Sequence, residues 1–216
     1  MPSPIRTQLF LLAGLGCASP AMAAPSEDQW FVHAGVARMT TDEAVAASIL
    51  GSALTDARID LTPRYAATVE IGRYVTPTFA FSLSAGSPLK QRIEADGSIR
   101  QFGTLGKVTY GPIAATVQWH LSQKAWFRPY VGAGVAYLHV FEAKPGALAE
   151  FRLHDDIGPV VQGGVELMTS RRMGMFVDGK KGWLTSSASG SLGGLPVDAR
   201  LRLDPVIVSA GAAFRF

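Results

Sequence analysis

Few residues in this 216-residue chain have types and spacings that could do chemistry. His154-Asp155-Asp156 sets a base beside two acids. Such a run could collect a cation, or serve as base and acid for a serine such as the distant Ser189. It lacks the ligand spacing of a metal centre, so a solvated charged loop is the simpler reading. Gly103-Thr104-Leu105-Gly106-Lys107 has the glycines and lysine of a phosphate loop at the wrong spacing, and Val108 stands where Ser or Thr would hold magnesium. Gly132-Ala133-Gly134 lacks the third glycine of a dinucleotide fingerprint. There is no Gly-x-Ser-x-Gly elbow and no His-Glu-x-x-His helix motif. These residues predict no cofactor, no bound metal and no enzyme.

Another set of ionisable residues is spaced against apolar neighbours. Glu70 lies between Val69 and Ile71, Glu166 between Val165 and Leu167, and Arg215 between Phe214 and Phe216. Period two marks a strand with one polar and one apolar face. Over 206–216 the apolar parity runs Val206, Val208, Ala210, Ala212, Phe214, Phe216. At ~3.3 Å per residue and ~45° tilt this stretch rises about 26 Å, close to the ~25 Å apolar band of an outer-membrane barrel.

The same alternation recurs in eight segments, 30–38, 63–75, 79–89, 106–121, 127–142, 157–168, 173–183 and 205–216. Their connections alternate between short (75–78, 122–125, 169–172) and long (39–62, 90–105, 143–156, 184–204). The pattern predicts an all-β fold, an eight-stranded antiparallel transmembrane β-barrel with short periplasmic turns, long extracellular loops and both termini in the periplasm. Aromatic residues gather at the strand ends: Trp30, Phe31, Tyr74, Phe79, Trp119, Trp126, Phe127, Phe214 and Phe216 on the short-turn side, and Tyr65, Tyr110, Tyr137, Phe141 and Trp183 on the other. Two such girdles are what the two bilayer interfaces select.

Parity sends Val69, Ile71, Phe81, Leu83, Val117, Val131, Val135, Val161, Met175 and Val177 to lipid. It sends Glu70, Ser82, Thr116, Gln118, His120, Arg128, Tyr130, Gln162, Glu166, Asp178, Lys180 and Arg215 to the lumen. Polar-in and apolar-out is the reverse of a soluble lipocalin-type barrel. Glu70, Glu166 and Asp178 balance Arg128, Lys180 and Arg215, and eight strands leave room only for side chains. The lumen therefore reads first as paired charges rather than a water-filled pore. Leu138, Val160 and Phe176, with Tyr130, make part of the same wall apolar.

The first 23 residues read as a cleaved secretory signal peptide: Arg6, an apolar run from Leu9 to Leu15, then Ala21-Met22-Ala23. Residues 24–216 would form one barrel domain. The single cysteine, Cys17, falls within the signal, and Gly14-Leu15-Gly16 before it is a poor lipid-attachment motif. A formal charge of +3 does not argue for nucleic acid. The apolar segment 44–54, with Val45, Ile49, Leu50 and Leu54, is either a short helix packed among the loops or an oily lip at the barrel mouth. The Ser- and Gly-rich stretch 186–194 is expected to be mobile.

Several stretches resemble the OmpW family of small outer-membrane β-barrel proteins. Phe127-Arg128-Pro129-Tyr130-Val131-Gly132-Ala133-Gly134 is similar to the family's most recognisable segment. Ser87-Pro88-Leu89-Lys90 resembles its TPF stretch, Gln118-Trp119-His120-Leu121 its QYHF stretch, and Asp204-Pro205-Val206 with Phe214-Arg215-Phe216 its DPW…YRF ending. Tyr110-Gly111-Pro112 departs from the usual Leu-Pro-Pro, and Val206 from the usual Trp. The resemblance implies a narrow, largely hydrophobic channel for uptake of small hydrophobic molecules, with a sideways exit into the bilayer. Channel candidates are Tyr130, Leu138, Val160, Phe176, Glu70, His120, Glu166, Asp178, Lys180 and Arg215, with the four residues of 44–54 at the mouth. Implied partners are outer-membrane lipid and lipopolysaccharide, small hydrophobic solutes, and the barrel-assembly machinery through the last strand ending in Phe216. A filled barrel that serves only as a surface structural or receptor protein remains the alternative.

Overall fold

The computed structural model describes residues 29–41, 44–49, 52–53, 57–60, 63–122 and 125–216. The expected signal peptide lies outside them, as do Leu50 and Leu54. Along the chain run β1 (Trp30–Thr41), β2 (Ala44–Ile49), β3 (Ser52–Ala53), β4 (Ala57–Asp60), β5 (Arg64–Tyr74), β6 (Phe79–Gly86), β7 (Leu89–Gly97) and β8 (Thr104–His120). Then follow β9 (Phe127–Pro145), β10 (Ala149–Leu153), β11 (Asp156–Met168), β12 (Met173–Gly182), β13 (Thr185–Leu192), β14 (Leu195–Arg202) and β15 (Pro205–Arg215).

Eight of these strands close on themselves in the order β8-β6-β5-β1-β15-β12-β11-β9, with β9 returning to β8. Every pair is antiparallel. Closure leaves no free edge in the spanning region, as lipid demands of any backbone that crosses it. At the seam of first and last strands, Trp30 N–H donates to Phe216 O at 2.8 Å and Phe216 N–H to Trp30 O at 3.0 Å. Short turns follow β5, β8 and β11 at this same end, here called the turn end.

The alternation read from the sequence is the alternation of faces. Val69, Ile71, Phe81, Leu83, Val131, Met175 and Val208 are exposed on the outer wall, and Glu70, Ser82, Gln118, Glu166, Asp178 and Arg215 are buried inside. Arg73, on the lipid-facing parity, holds its guanidinium 5.4 Å from the centre of the Trp30 ring.

Three aromatics assigned to the girdles face the other way. Phe31, Tyr74 and Tyr110 are buried. Adjacent strand residues point to opposite faces, so Trp30 outside requires Phe31 inside. The Phe31 ring lies across Gly72 of β5, its register partner, where an added Cβ would come within 2.1 Å of the ring. Tyr130 lies across Gly164 of β11 in the same manner.

At the loop end the long connections are themselves strands. Segment 44–54 contributes β2 and β3, and neither is helical. Stretch 186–194 belongs to the β13–β14 hairpin rather than to a loose loop, with Ser186 and Ala188 buried. Here β10-β13-β14-β2-β3 form a second sheet. Its buried Phe151, Ala188 and Leu201 join Met39, Leu89, Ile93, Val108, Tyr110, Leu138 and Leu184 in one apolar cluster. β13 and β14 pair as a hairpin across Gly193-Gly194, both at positive φ, whereas β10 and β2 join the sheet by pairing with distant segments, which short-range periodicity does not encode.

Candidate functional site

The lumen has two storeys of opposite chemistry. Strands β1, β5, β8, β9, β11, β12 and β15 each send polar or aromatic side chains into the turn-end half. Nearest the turns, Arg215 donates to Glu166 Oε2 through Nε at 3.0 Å and through a terminal nitrogen at 2.5 Å. The same terminal nitrogen donates to the Tyr74 hydroxyl at 2.7 Å. His33 Nε2 lies 2.9 Å from Glu166 Oε1. The Tyr74 hydroxyl is 3.0 Å from His120 Nδ1, and His120 Nε2 is 2.9 Å from Gln118 Oε1. Because the Gln118 carbonyl oxygen can only accept, His120 Nε2 is the donor in that contact.

Gln118 links this layer to the next by donating to Glu70. Lys180 Nζ donates to Glu70 Oε2 at 2.9 Å and to Asp178 Oδ1 at 2.7 Å. Gln162 Nε2 donates to Asp178 Oδ2 at 2.8 Å, and the Tyr130 hydroxyl donates to the same oxygen at 2.9 Å. Thr116 donates to Gln162 Oε1 at 2.9 Å and lies 2.8 Å from Ser82 Oγ. Rings fill the remaining space: His33 stacks on Phe176 at 4.5 Å between centroids, and His120 on Tyr130 at 4.9 Å. Charges buried this deeply are tolerable only when paired and hydrogen-bonded. Among the described residues, His33 Nδ1 is the buried side-chain polar atom left without a partner. This half of the lumen is a packed plug.

Above the plug the lining turns apolar. A cavity of about 60 Å³ is bordered by Ala37, Met39, Ala66, Ala114, Leu138, Val160, Leu184 and Ile207, with Thr68, Ser84, Lys180 and Ser209 at its polar side. A second cavity of about 30 Å³ lies among Ile93, Val108, Tyr110, Leu153, Leu201 and Leu203, and shares Met39, Leu138, Leu184 and Pro205 with the first. The first cavity also reaches the wall. Ala85, Gly86, Pro112, Ile113 and Tyr137 border it, although Ile113 and Tyr137 are 37 % and 38 % exposed on the outside. The β6–β8 ladder stops at Ala85 opposite Ile113, and the β7–β8 ladder resumes at Leu89 opposite Tyr110. Between them Ser87 N–H turns to Ala67 O on β5 at 2.8 Å, and Pro88 and Pro112 have no N–H to give. The hydrogen-bond ladder of the wall is interrupted there.

The inward candidates divide between the storeys. Glu70, His120, Tyr130, Glu166, Phe176, Asp178 and Arg215 belong to the plug, Leu138 and Val160 to the cavity, and Lys180 to both. Of the mouth candidates, Val45 and Ile49 lie on β2, opposite Leu201 and Val197 of β14. Sequence reasoning passed over Met39, Leu184, Ile207 and the break in the ladder at Gly86 and Pro112. Prolines inside a strand pattern are a usable signal of such a break.

His154, Asp155 and Asp156 are engaged separately. Asp155 accepts from the Tyr137 hydroxyl, from Val140 N–H at 2.7 Å, and pairs with His139 Nδ1 at 2.9 Å. Asp156 accepts from Thr185 N–H at 2.6 Å, and His154 Nδ1 lies 3.1 Å from Ser187 O. The Tyr137 hydrogen bond, then those from Val140 and His139, hold the Asp155 carboxyl down at about 2.

A closed eight-stranded antiparallel barrel, apolar outside and plugged by paired charges inside, defines a small outer-membrane β-barrel protein. The sequence profile of the OmpW family matches residues 26–216, and the chain belongs to that family. It is 28 % identical over 166 residues to outer membrane protein AlkL of Ectopseudomonas oleovorans, spanning 77 % of this chain and 72 % of that protein. It is 27 % identical over 213 residues to the dibenzothiophene metabolism operon protein PahQ of Pseudomonas aeruginosa, spanning 98 % and 100 %. The crystal structure of OprG from Pseudomonas aeruginosa superposes with a TM-score of 0.81 at 16 % identity, over 88 % of this chain and 96 % of that one. The solid-state NMR structure of AlkL in lipid bilayers gives 0.72 at 24 % identity, over 98 % and 97 %. These last two likenesses concern the fold.

Proposed function

We propose that this barrel admits small hydrophobic solutes at its loop end and releases them sideways into the bilayer, without enzymatic chemistry. The observation that carries the reading is the apolar cavity, which borders the outer wall at Pro112 and Ile113 while the plug lies beneath it. A solute that has left water gains nothing by crossing a layer of paired charges, whereas parting the wall at the interrupted ladder would lead it to hydrocarbon. The two cavities are divided by Met39, Leu138, Leu184 and Pro205. Side-chain rotation, for which the unbranched Met39 is suited, suffices to join them. The name of the relative PahQ, from an operon for the metabolism of the apolar dibenzothiophene, agrees with this solute class.

The same reading sets the turn end and both termini in the periplasm, takes residues 1–23 as a cleaved signal peptide, and gives the strand ending in Phe216 to the barrel-assembly machinery.

Flux into liposomes containing the refolded protein tests the function, with a small apolar fluorophore compared against a sugar of similar size. Faster uptake of the fluorophore alone, lost in Ala114→Trp whose indole would fill the cavity, supports the channel. Sugar uptake would mean an aqueous pore. The plug itself favours a second reading, a filled barrel acting as a surface structural or receptor protein, and absence of flux for both solutes would favour it over the first.

A further inference from the structure

We propose that the outer wall at the loop end carries a binding site for the phosphate groups of a phosphorylated glycolipid, the lipopolysaccharide of the outer leaflet. The site is built on β7, β8 and β9. Leu89, Gln91, Ile93 and Val108 are buried, so the alternating Lys90, Arg92 and Lys107 are turned outward and exposed, as is Lys144. Register sets Arg92 directly opposite Lys107, and Lys107 directly opposite Lys144. Like charges at directly opposed positions repel. Three in one row across three strands cost stability unless an anion lies over them. Arg64 and Lys90 border the same concavity of about 350 Å³, and Glu142 is its one carboxylate. Glu142 pairs with Lys144 at 3.2 Å, with both side chains more than half exposed, so it offsets little of the charge.

The height of the row selects the partner. On β8, Lys107 is twelve residues from Trp119, which lies on the outer wall near the turn end. At ~3.3 Å per residue and ~45° tilt this is about 28 Å, one apolar band above the turn-end girdle. The cations therefore lie at the opposite headgroup level, and lipid-facing Ile113 and Val117 run beneath them. A phosphorylated headgroup with acyl chains below satisfies both halves of this surface. Free phosphate satisfies only the first. The break in the ladder at Pro112 lies about 12 Å below the row, so the acyl chains of a lipid held there would lie over it. The proposal rests on the proposed reading only for its orientation, with the loop end facing outward, and does not require that solutes pass.

Native mass spectrometry of the refolded full chain in micelles tests it. The probes are a bis-phosphorylated lipid A, its dephosphorylated form, phosphatidylglycerol and inorganic phosphate. The bis-phosphorylated lipid is expected to bind most tightly. Each cation beside an anionic surface contributes about a fivefold factor, so Arg92→Gln/Lys107→Gln/Lys144→Gln together should weaken binding roughly 100-fold. The turn-end pair Arg73→Gln/Arg171→Gln should leave it unchanged. Lys107→Gln alone, expected to lose about fivefold, serves if the triple variant does not fold. Equal binding of the dephosphorylated lipid, equal binding of phosphatidylglycerol, retention by the folded variants, or displacement of the lipid by millimolar phosphate would each overturn the proposal.

Discussion

Replacing Lys180 with Met is the sharpest test of the plug. Its Nζ lies 2.9 Å from Glu70 and 2.7 Å from Asp178, and all three side chains are at most 10 % exposed. At an effective dielectric of ~20, each contact is worth about 6 kcal/mol of gross attraction. Most of that is offset by the cost of taking three charges out of water, so the gross figure does not set the outcome. What sets it is the two carboxylates left behind. Gln162 and Tyr130 still donate to Asp178, and Gln118 and Gln162 to Glu70, but none of these donors carries charge. Breaking a buried pair from one side costs about 3–5 kcal/mol. Lys180→Met should therefore lower the unfolding free energy by that amount in urea titrations of the protein in vesicles, followed by tryptophan fluorescence. Adding Glu70→Gln and Asp178→Asn removes the stranded charge and should restore stability to within about 1–2 kcal/mol of the parent. A loss below ~1 kcal/mol in the single variant would mean that water reaches these carboxylates, and the plug would then be a pore.

Val208→Arg sits six residues above Phe214, about 14 Å up the wall and close to the bilayer midplane. It should cost about 2–4 kcal/mol in the same titrations, with Val131→Arg, nearer an interface, toward the lower end. A neutral result at both would reverse the assignment of faces. Gly72→Ala drives a methyl into the Phe31 ring and should cost about 1–3 kcal/mol. Phe31→Leu in the same chain should recover part of it, and simple additivity of the two changes would refute the contact. The Asp155 carboxyl, held at about 2 against an ordinary 3.8, contributes its stabilisation in full above pH ~4 and loses it as pH falls toward 2. Hydrogen exchange at the Val140 amide should stay slow from pH 7 to 4 and lose protection below. Asp155→Asn should flatten that profile.

The spanning strands were legible because their cause is local. Glu70 between Val69 and Ile71 states its own face, and the eight observed spanning strands differ from the periodicity mainly at their ends, as where β1 runs on to Thr41 and carries Met39 into the cavity. Residue type and parity disagree at Phe31, Tyr74 and Tyr110, where an aromatic suits an interface but the position along the strand turns the side chain inward. At the loop end periodicity did not suffice for β2, which exists through pairing with the distant β14, whereas Gly193-Gly194 was a local signal for the β13–β14 hairpin.

The sequence by itself determined a membrane barrel of eight strands, the residues that meet lipid and the balance of charge inside, because alternation and composition act over a few neighbours. Only closure decided who meets whom. Lys180 and Glu70 are far apart in the chain and lie on strands that are not neighbours, as do His33 and Glu166. The stagger of the closed sheet brings each pair to one height and so sets the plug below and the cavity above. Tertiary pairing likewise decided that the ladder breaks where Gly86 and Pro112 pack against each other. Shear is a property of the whole ring, and no segment of the chain carries it alone.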